Sequence, residues 1–190
     1  MNFFTIEDTF STEYEIKKSI FIASLVHIKK FKTLHEELKQ KHPKANHIVW
    51  AKRELNEFMQ VVENSSDDGE PKGTSGPPSL NVLRGSDIIN AGVLIVRYFG
   101  GIKLGTGGLV RAYSSATKEV IKVSKLIKYE KKEIFKFTTD YSSINRYEHY
   151  LNKKDIQIHQ RDFETNQVIW TLYLSEIQAK ELEIFKNSLH

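Results

Sequence analysis

All ten glycines of this 190-residue chain fall between Gly69 and Gly108. Glycine alone takes positive φ freely and lets another backbone or a ligand approach closely, so a tract that gathers every one of them marks where backbone shape is specified. That tract, residues 66–113, reads SDDGEPKGTSGPPSLNVLRGSDIINAGVLIVRYFGGIKLGTGGLVRAY. Within it the apolar run AGVLIVRY at 91–98 implies a strand buried on both faces. Residues 105–123 follow with Leu109, Tyr113, Ala116 and Val120 on one helical stripe. Pro77 and Pro78 suit the first turn of a short helix running to Leu83, where a missing amide hydrogen is harmless.

Upstream, 13–28 alternates and then turns apolar, predicting strands with a break near residues 17–19. Phe31, Leu34 and Leu38 recur at helical spacing, and Pro43 stops that helix behind His42. Residues 47–53 and 57–63 read as a hairpin turning at 54–56. Downstream of residue 127 there is neither glycine nor proline, and the pattern becomes β-α-β-β-α. Phe135 and Phe137 belong to its first strand, Tyr147 and Leu151 to its first helix, and Val168, Trp170, Leu172 and Leu174 alternate along its last strand. Ser175 and Gln178 form a capping box for the final helix. Two domains are therefore expected, 1–126 and 127–190, with no catalytic residues in the second.

The absence of cysteine excludes a disulfide framework, thiolate metal sites and a cysteine nucleophile, and it suits a reducing, cytoplasmic setting. The N-terminus carries acids where a signal peptide would be apolar, and no stretch approaches the roughly 18 apolar residues of a membrane span, so no membrane association is expected. Net charge is +4, and residues 1–127 hold 18 Lys and Arg against 14 Asp and Glu, while the remainder is balanced at 10 against 10. The excess is compatible with a surface for polyanions and equally with a solvated, lysine-rich helix face.

Three enzyme signatures fail at specific positions. His35-Glu-Glu-Leu-Lys39 has lysine where a zinc-protease motif needs its second histidine. Gly73-Thr-Ser-Gly-Pro77 departs from a nucleophile elbow at Pro77. The loop ending at Gly105-Thr106 has no lysine before its threonine and is not a Walker motif. Gly105, Thr106, Gly107 and Gly108 nevertheless open a helix, with Lys103 and Arg111 nearby, and form either an anion site or a tight turn that needs small residues for packing. Arg97 interrupts the buried strand. An unpaired buried charge there costs about 3–5 kcal/mol, so Asp67, Asp68 and Glu70 are its expected partners. The same three acids are also a conceivable magnesium shell, although no metal or cofactor is expected.

The runs SSDDGEPKGTSG at 65–76 and LIVRYFGGIKLGTGGLVRAY at 94–113, with KSIFIA at 18–23 and HIVWAKR at 47–53, resemble the signature of the IMPACT-like family, specifically its two-domain bacterial YigZ-type members. The resemblance implies an α+β protein: a two-layer β-α domain of the ribosomal-protein and elongation-factor type, followed by a ferredoxin-like β-α-β-β-α domain like those of elongation factor G. It further implies a translation-associated regulator that binds rather than catalyses, with RNA, the ribosome or a protein translation factor as partner. Tyr98, Phe99 and Trp50 are then candidates for stacking on bases, with at least two of them expected in the core. The alternative is an enzyme that cradles a phosphate or nucleotide on Gly105–Gly108.

Overall fold

A computed structural model of the chain describes residues 3–189, which divide into two compact units, the first ending at Tyr129 and the second beginning at Glu130. The first contains, in order, β1 (Phe4–Thr5), β2 (Phe10–Ile16), β3 (Ser19–His27), α1 (Ile28–Lys41), β4 (His47–Leu55), β5 (Val61–Ser66), α2 (Gly76–Gly85), β6 (Ala91–Tyr98), α3 (Thr106–Val123) and β7 (Ile127–Lys128). Five of the strands form one sheet in the order β2-β3-β6-β4-β5, with every neighbouring pair antiparallel. The apolar run of β6 thus occupies the centre, where only a strand apolar on both faces is stable.

Because side chains alternate along β6, its two faces have different partners. Val93 and Ile95 pack with Leu83 of α2 and with Leu109, Tyr113, Ala116 and Val120 of α3. Leu94 and Val96 pack with Phe31 and Leu38 of α1. Helices therefore cover both faces of the sheet, giving three layers where two were expected. The α1 stripe of Phe31, Leu34 and Leu38 needs an apolar surface of its own, and the second face of β6 supplies it.

Two turns set the edges of this unit. Lys17 and Lys18, joining β2 to β3, both have positive φ, at 47° and 63°, the backbone of a tight turn that glycine or asparagine usually occupies. Gly100 lies directly against them: a Cβ there would stand 2.0 Å from the Lys18 carbonyl carbon. The hairpin of β4 and β5 turns later than expected, because Asn56 accepts the amide hydrogens of Phe58 and Gln60 on its Oδ1. Residues 57–60 consequently belong to the turn, and β5 extends to Ser66.

The second unit follows its expected order: β8 (Glu133–Thr139), a 3-10 turn (Tyr141–Ser143), α4 (Ile144–Lys153), β9 (Ile158–Phe163), β10 (Val168–Leu174) and α5 (Glu176–Asn187). Its antiparallel sheet runs β8-β10-β9. Phe137, Tyr147, Leu151, Trp170, Leu172 and Leu182 form its core, and Trp170 keeps its indole hydrogen satisfied by donating to Thr139 Oγ1 at 2.9 Å. Ser175 and Gln178 make the reciprocal bonds of the capping box. No helix among the described residues is long and apolar enough to cross a membrane.

The backbone contact at Gly100 sets a clear expectation. Gly100→Ala has no flexible side chain to displace, only the Lys18–Ser19 main chain, and it lowers stability by about 3 kcal/mol in urea unfolding. A loss below about 0.5 kcal/mol contradicts the close approach.

Candidate functional site

The acidic loop between β5 and α2 gives its three carboxylates three separate tasks. Asp67 Oδ1 accepts from Ser75 N at 3.0 Å, Ser75 Oγ at 2.7 Å and Gly76 N at 2.9 Å, while Oδ2 accepts from Gly73 N at 2.7 Å. Asp67 therefore caps α2 from a distance, with Ser75 as N-cap making no side-chain cap bond of its own. Burial works to raise the Asp67 pKa, but the Ser75 hydroxyl and the three amides outweigh it and hold the carboxyl below its usual value. Asp68 Oδ2 accepts from Ile48 N at 2.6 Å, and its carbonyl accepts from His47 Nδ1 at 2.7 Å. Both residues thus turn away from Arg97.

Arg97 pairs instead with Glu70 alone, Nη1 to Oε1 at 2.5 Å. Tyr113 of α3 donates its hydroxyl hydrogen to the same oxygen at 2.7 Å. Arg97 is 6% exposed and Glu70 8%, so the pair is a buried link between β6, the acidic loop and α3. Desolvation and then the Glu70 charge push the Tyr113 phenol far above its ordinary range. The Phe21 and Phe99 rings lie 5.5 and 5.8 Å from the guanidinium. Among the described residues no cluster of three or more His, Asp and Glu side chains is arranged to hold a metal.

Beside this pair opens a cavity of about 450 Å³. Glu70, Arg97 and Leu109 form its buried lining; Asn46, Pro71, Phe99, Lys103, Gly105 and Thr106 are its exposed residues. Of the expected anion-binding residues, then, Lys103, Gly105 and Thr106 line the cavity. Gly107, Gly108 and Arg111 continue along α3 outside it. A second, larger cavity of about 580 Å³ lies along α2 and α3 and has Lys118 as its one charged lining residue.

The glycines at this helix start have different reasons to be glycine. Gly105 is the N-cap at φ 73° with no side-chain cap, and the first turn holds no acid. Gly108 is crowded, since a Cβ would meet Leu104 Cβ at 3.0 Å. Gly107 has helical φ, and a Cβ would touch only Arg111 Nη1 at 3.6 Å, an ordinary contact. Nothing inside the protein requires glycine at 107.

Among the aromatic candidates, Trp50 and Tyr98 pack against the α1 core, Tyr98 also bonding His42 Nδ1 at 2.9 Å. Phe99 alone is open, at 47% exposure. His47, which no site motif in the sequence marks, also lines the cavity, with Nε2 3.9 Å from Glu70 Oε2. Its place in the HIVWAKR run was the available signal.

The fold and site define a two-unit α+β protein whose glycine-rich segment joins a buried ion pair to a basic, uncapped helix start. The Impact N-terminal domain model matches residues 17–121, from the Lys17–Lys18 turn into α3. An IMPACT family member from Haemophilus influenzae is 37% identical over 181 residues, covering 93% of this chain and 85% of that protein. The family member YigZ of Escherichia coli is 41% identical over 113 residues, covering 57% and 54% respectively. A crystal structure of a hypothetical protein superposes with a TM-score of 0.68 at 28% identity, covering 99% of this chain and 92% of that one. The chain belongs to the IMPACT family.

Removing one half of the buried pair strands the other. Glu70→Ala costs about 3–5 kcal/mol in denaturant unfolding because Arg97 keeps its charge in an apolar sheet, and Glu70→Gln, which preserves volume and an acceptor, costs less. Asp67, with its folded pKa depressed, contributes stability that is fully present above its unfolded pKa and is lost as pH falls through the folded one. The stability gap between wild type and Asp67→Asn therefore narrows as acid is added below about pH 4. A constant gap excludes the capping role.

Proposed function

We propose that the protein is a translation-associated regulator that acts by binding, contacting RNA through the first turns of α3 and the Lys103 loop. One observation carries this reading: Gly107 is a glycine that neither φ nor internal packing explains. An exposed glycine inside a helix lowers stability by about 0.5–1 kcal/mol relative to alanine. Close approach of an external group to the backbone accounts for it, and would also satisfy the amides of a helix start that has neither a side-chain cap nor an acid in its first turn. A phosphate fits these donors, with Lys103 before the helix and Arg111 one turn along it.

Membership of the IMPACT family supports the connection with translation. The β8-β10-β9 order, with helices after the first and third strands, supports a ferredoxin-like reading of the second unit. The enzyme reading is disfavoured because the groups it needs are committed elsewhere. Ser75 donates its hydroxyl hydrogen to Asp67, and Asp67 and Asp68 accept backbone amides.

Fluorescence anisotropy with labelled RNA tests the proposal. Lys103→Ala with Arg111→Ala weakens binding and flattens the plot of log affinity against log salt by about 1–2 units, from two lost phosphate contacts. Gly107→Ala weakens RNA binding while leaving the protein at least as stable as wild type. Salt-insensitive binding, unchanged in both variants, removes the idea.

A further inference from the structure

The cavity beside Arg97 has a lining that phosphate contacts do not use. Phe99 stands at its edge almost half exposed, yet it is not loose. Its amide donates to Asn46 Oδ1 at 3.1 Å, while Asn46 N donates to the Arg97 carbonyl at 3.1 Å, so one asparagine ties down the end of β6. Leu104 and Leu109 add apolar surface. An aromatic ring carried on a pinned stretch of main chain, with the Arg97 guanidinium 5.8 Å from its centre and much of its surface open, is a platform for another planar group.

Polar groups stand beside this platform. His47 Nδ1 bonds a carbonyl, which can only accept, so Nδ1 carries a hydrogen, while Nε2 lies in the cavity wall 3.9 Å from Glu70 Oε2. Arg97 is more than nine-tenths buried and lines the same cavity, but its unpartnered Nε is enclosed by protein and takes no part in the open lining. Glu70 offsets the Arg97 charge, so the net positive charge of the lining comes from Lys103, on the exposed side next to Gly105 and Thr106. An apolar plate beside donors and acceptors, with a cation at the rim, matches a nucleobase joined to its phosphate. A peptide carboxylate would leave the platform unused.

We infer that this cavity takes a single unstacked nucleobase of single-stranded RNA, its ring on Phe99 and its phosphate at Lys103 and the start of α3. The inference rests on the RNA-binding reading above and adds the strand state and the base contact. A base within a duplex cannot present its face to Phe99, so paired RNA is excluded from the site.

Three labelled probes separate the possibilities: a short single-stranded RNA, the same sequence as a duplex, and an abasic ribose-phosphate oligomer of equal length. The single strand is expected to bind roughly tenfold tighter than the abasic oligomer. Phe99→Ala, at an exposed position whose folding is checked by circular dichroism, abolishes that advantage, and Phe99→Tyr retains it. Lys103→Ala weakens single-stranded and abasic probes alike. Equal binding of these two probes by wild type, an undiminished advantage in Phe99→Ala, or preference for the duplex overturns the base site while leaving the phosphate contact standing. Failure to bind any of the three, including the case in which only a protein partner binds, overturns both readings.

Discussion

The buried pair of Arg97 and Glu70 decides how the first unit is put together. A guanidinium on the central strand of an apolar sheet needs a carboxylate at short range, and Glu70 can supply it only if the loop that carries it is closed. Asp67 closes that loop by gathering the amides of Gly73, Ser75 and Gly76, which also starts α2. Tyr113, bonded to the same Glu70 oxygen, ties α3 to the junction. Strand, loop and two helices are thereby set by a single charge, and the cavity is the space left beside it.

The same pairing shapes the electrostatics of the surface. Had Asp67 or Asp68 faced Arg97, their charges would have opposed an anion at the start of α3. Turned instead toward backbone amides, they leave a neutralised interior next to an exposed lysine and an uncapped helix end. Lys103 and Arg111 are in this way left close to a helix start whose first amides have no side-chain cap.

Period and punctuation made much of the fold legible. Elements such as β6, α3 and the capping box at Ser175 depend on spacing within a few residues, which a chain displays openly. The turn at Asn56, the choice of Glu70 over its neighbours and the cavity wall at His47 depend on contacts between residues far apart in sequence: Arg97 and Glu70 are separated by 27 positions, Tyr113 and Glu70 by 43. The third layer is hidden from the sequence for a related reason. A buried strand announces two covered faces, but not which helix covers the second. For the candidate site, the glycine-rich loop and Lys103 were visible in the sequence, whereas the difference between a glycine needed for φ, one needed for packing and one needed for neither required the space around each Cβ.

The tight lysine turn between β2 and β3 has a consequence for when the site exists. Gly100 presses on Lys18, and its amide donates to Ser19 Oγ at 3.2 Å across 81 positions of sequence. The loop after β6 is therefore moulded on a hairpin made at the opposite end of the unit, and it takes shape only when β6 has docked against β3. During synthesis the hairpin emerges first and waits. The surface formed by the Lys103 loop and the start of α3 appears as a late product of long-range closure, after nearly the whole first unit has left the ribosome, so a chain interrupted before α3 would display Lys103 without the helix start beside it.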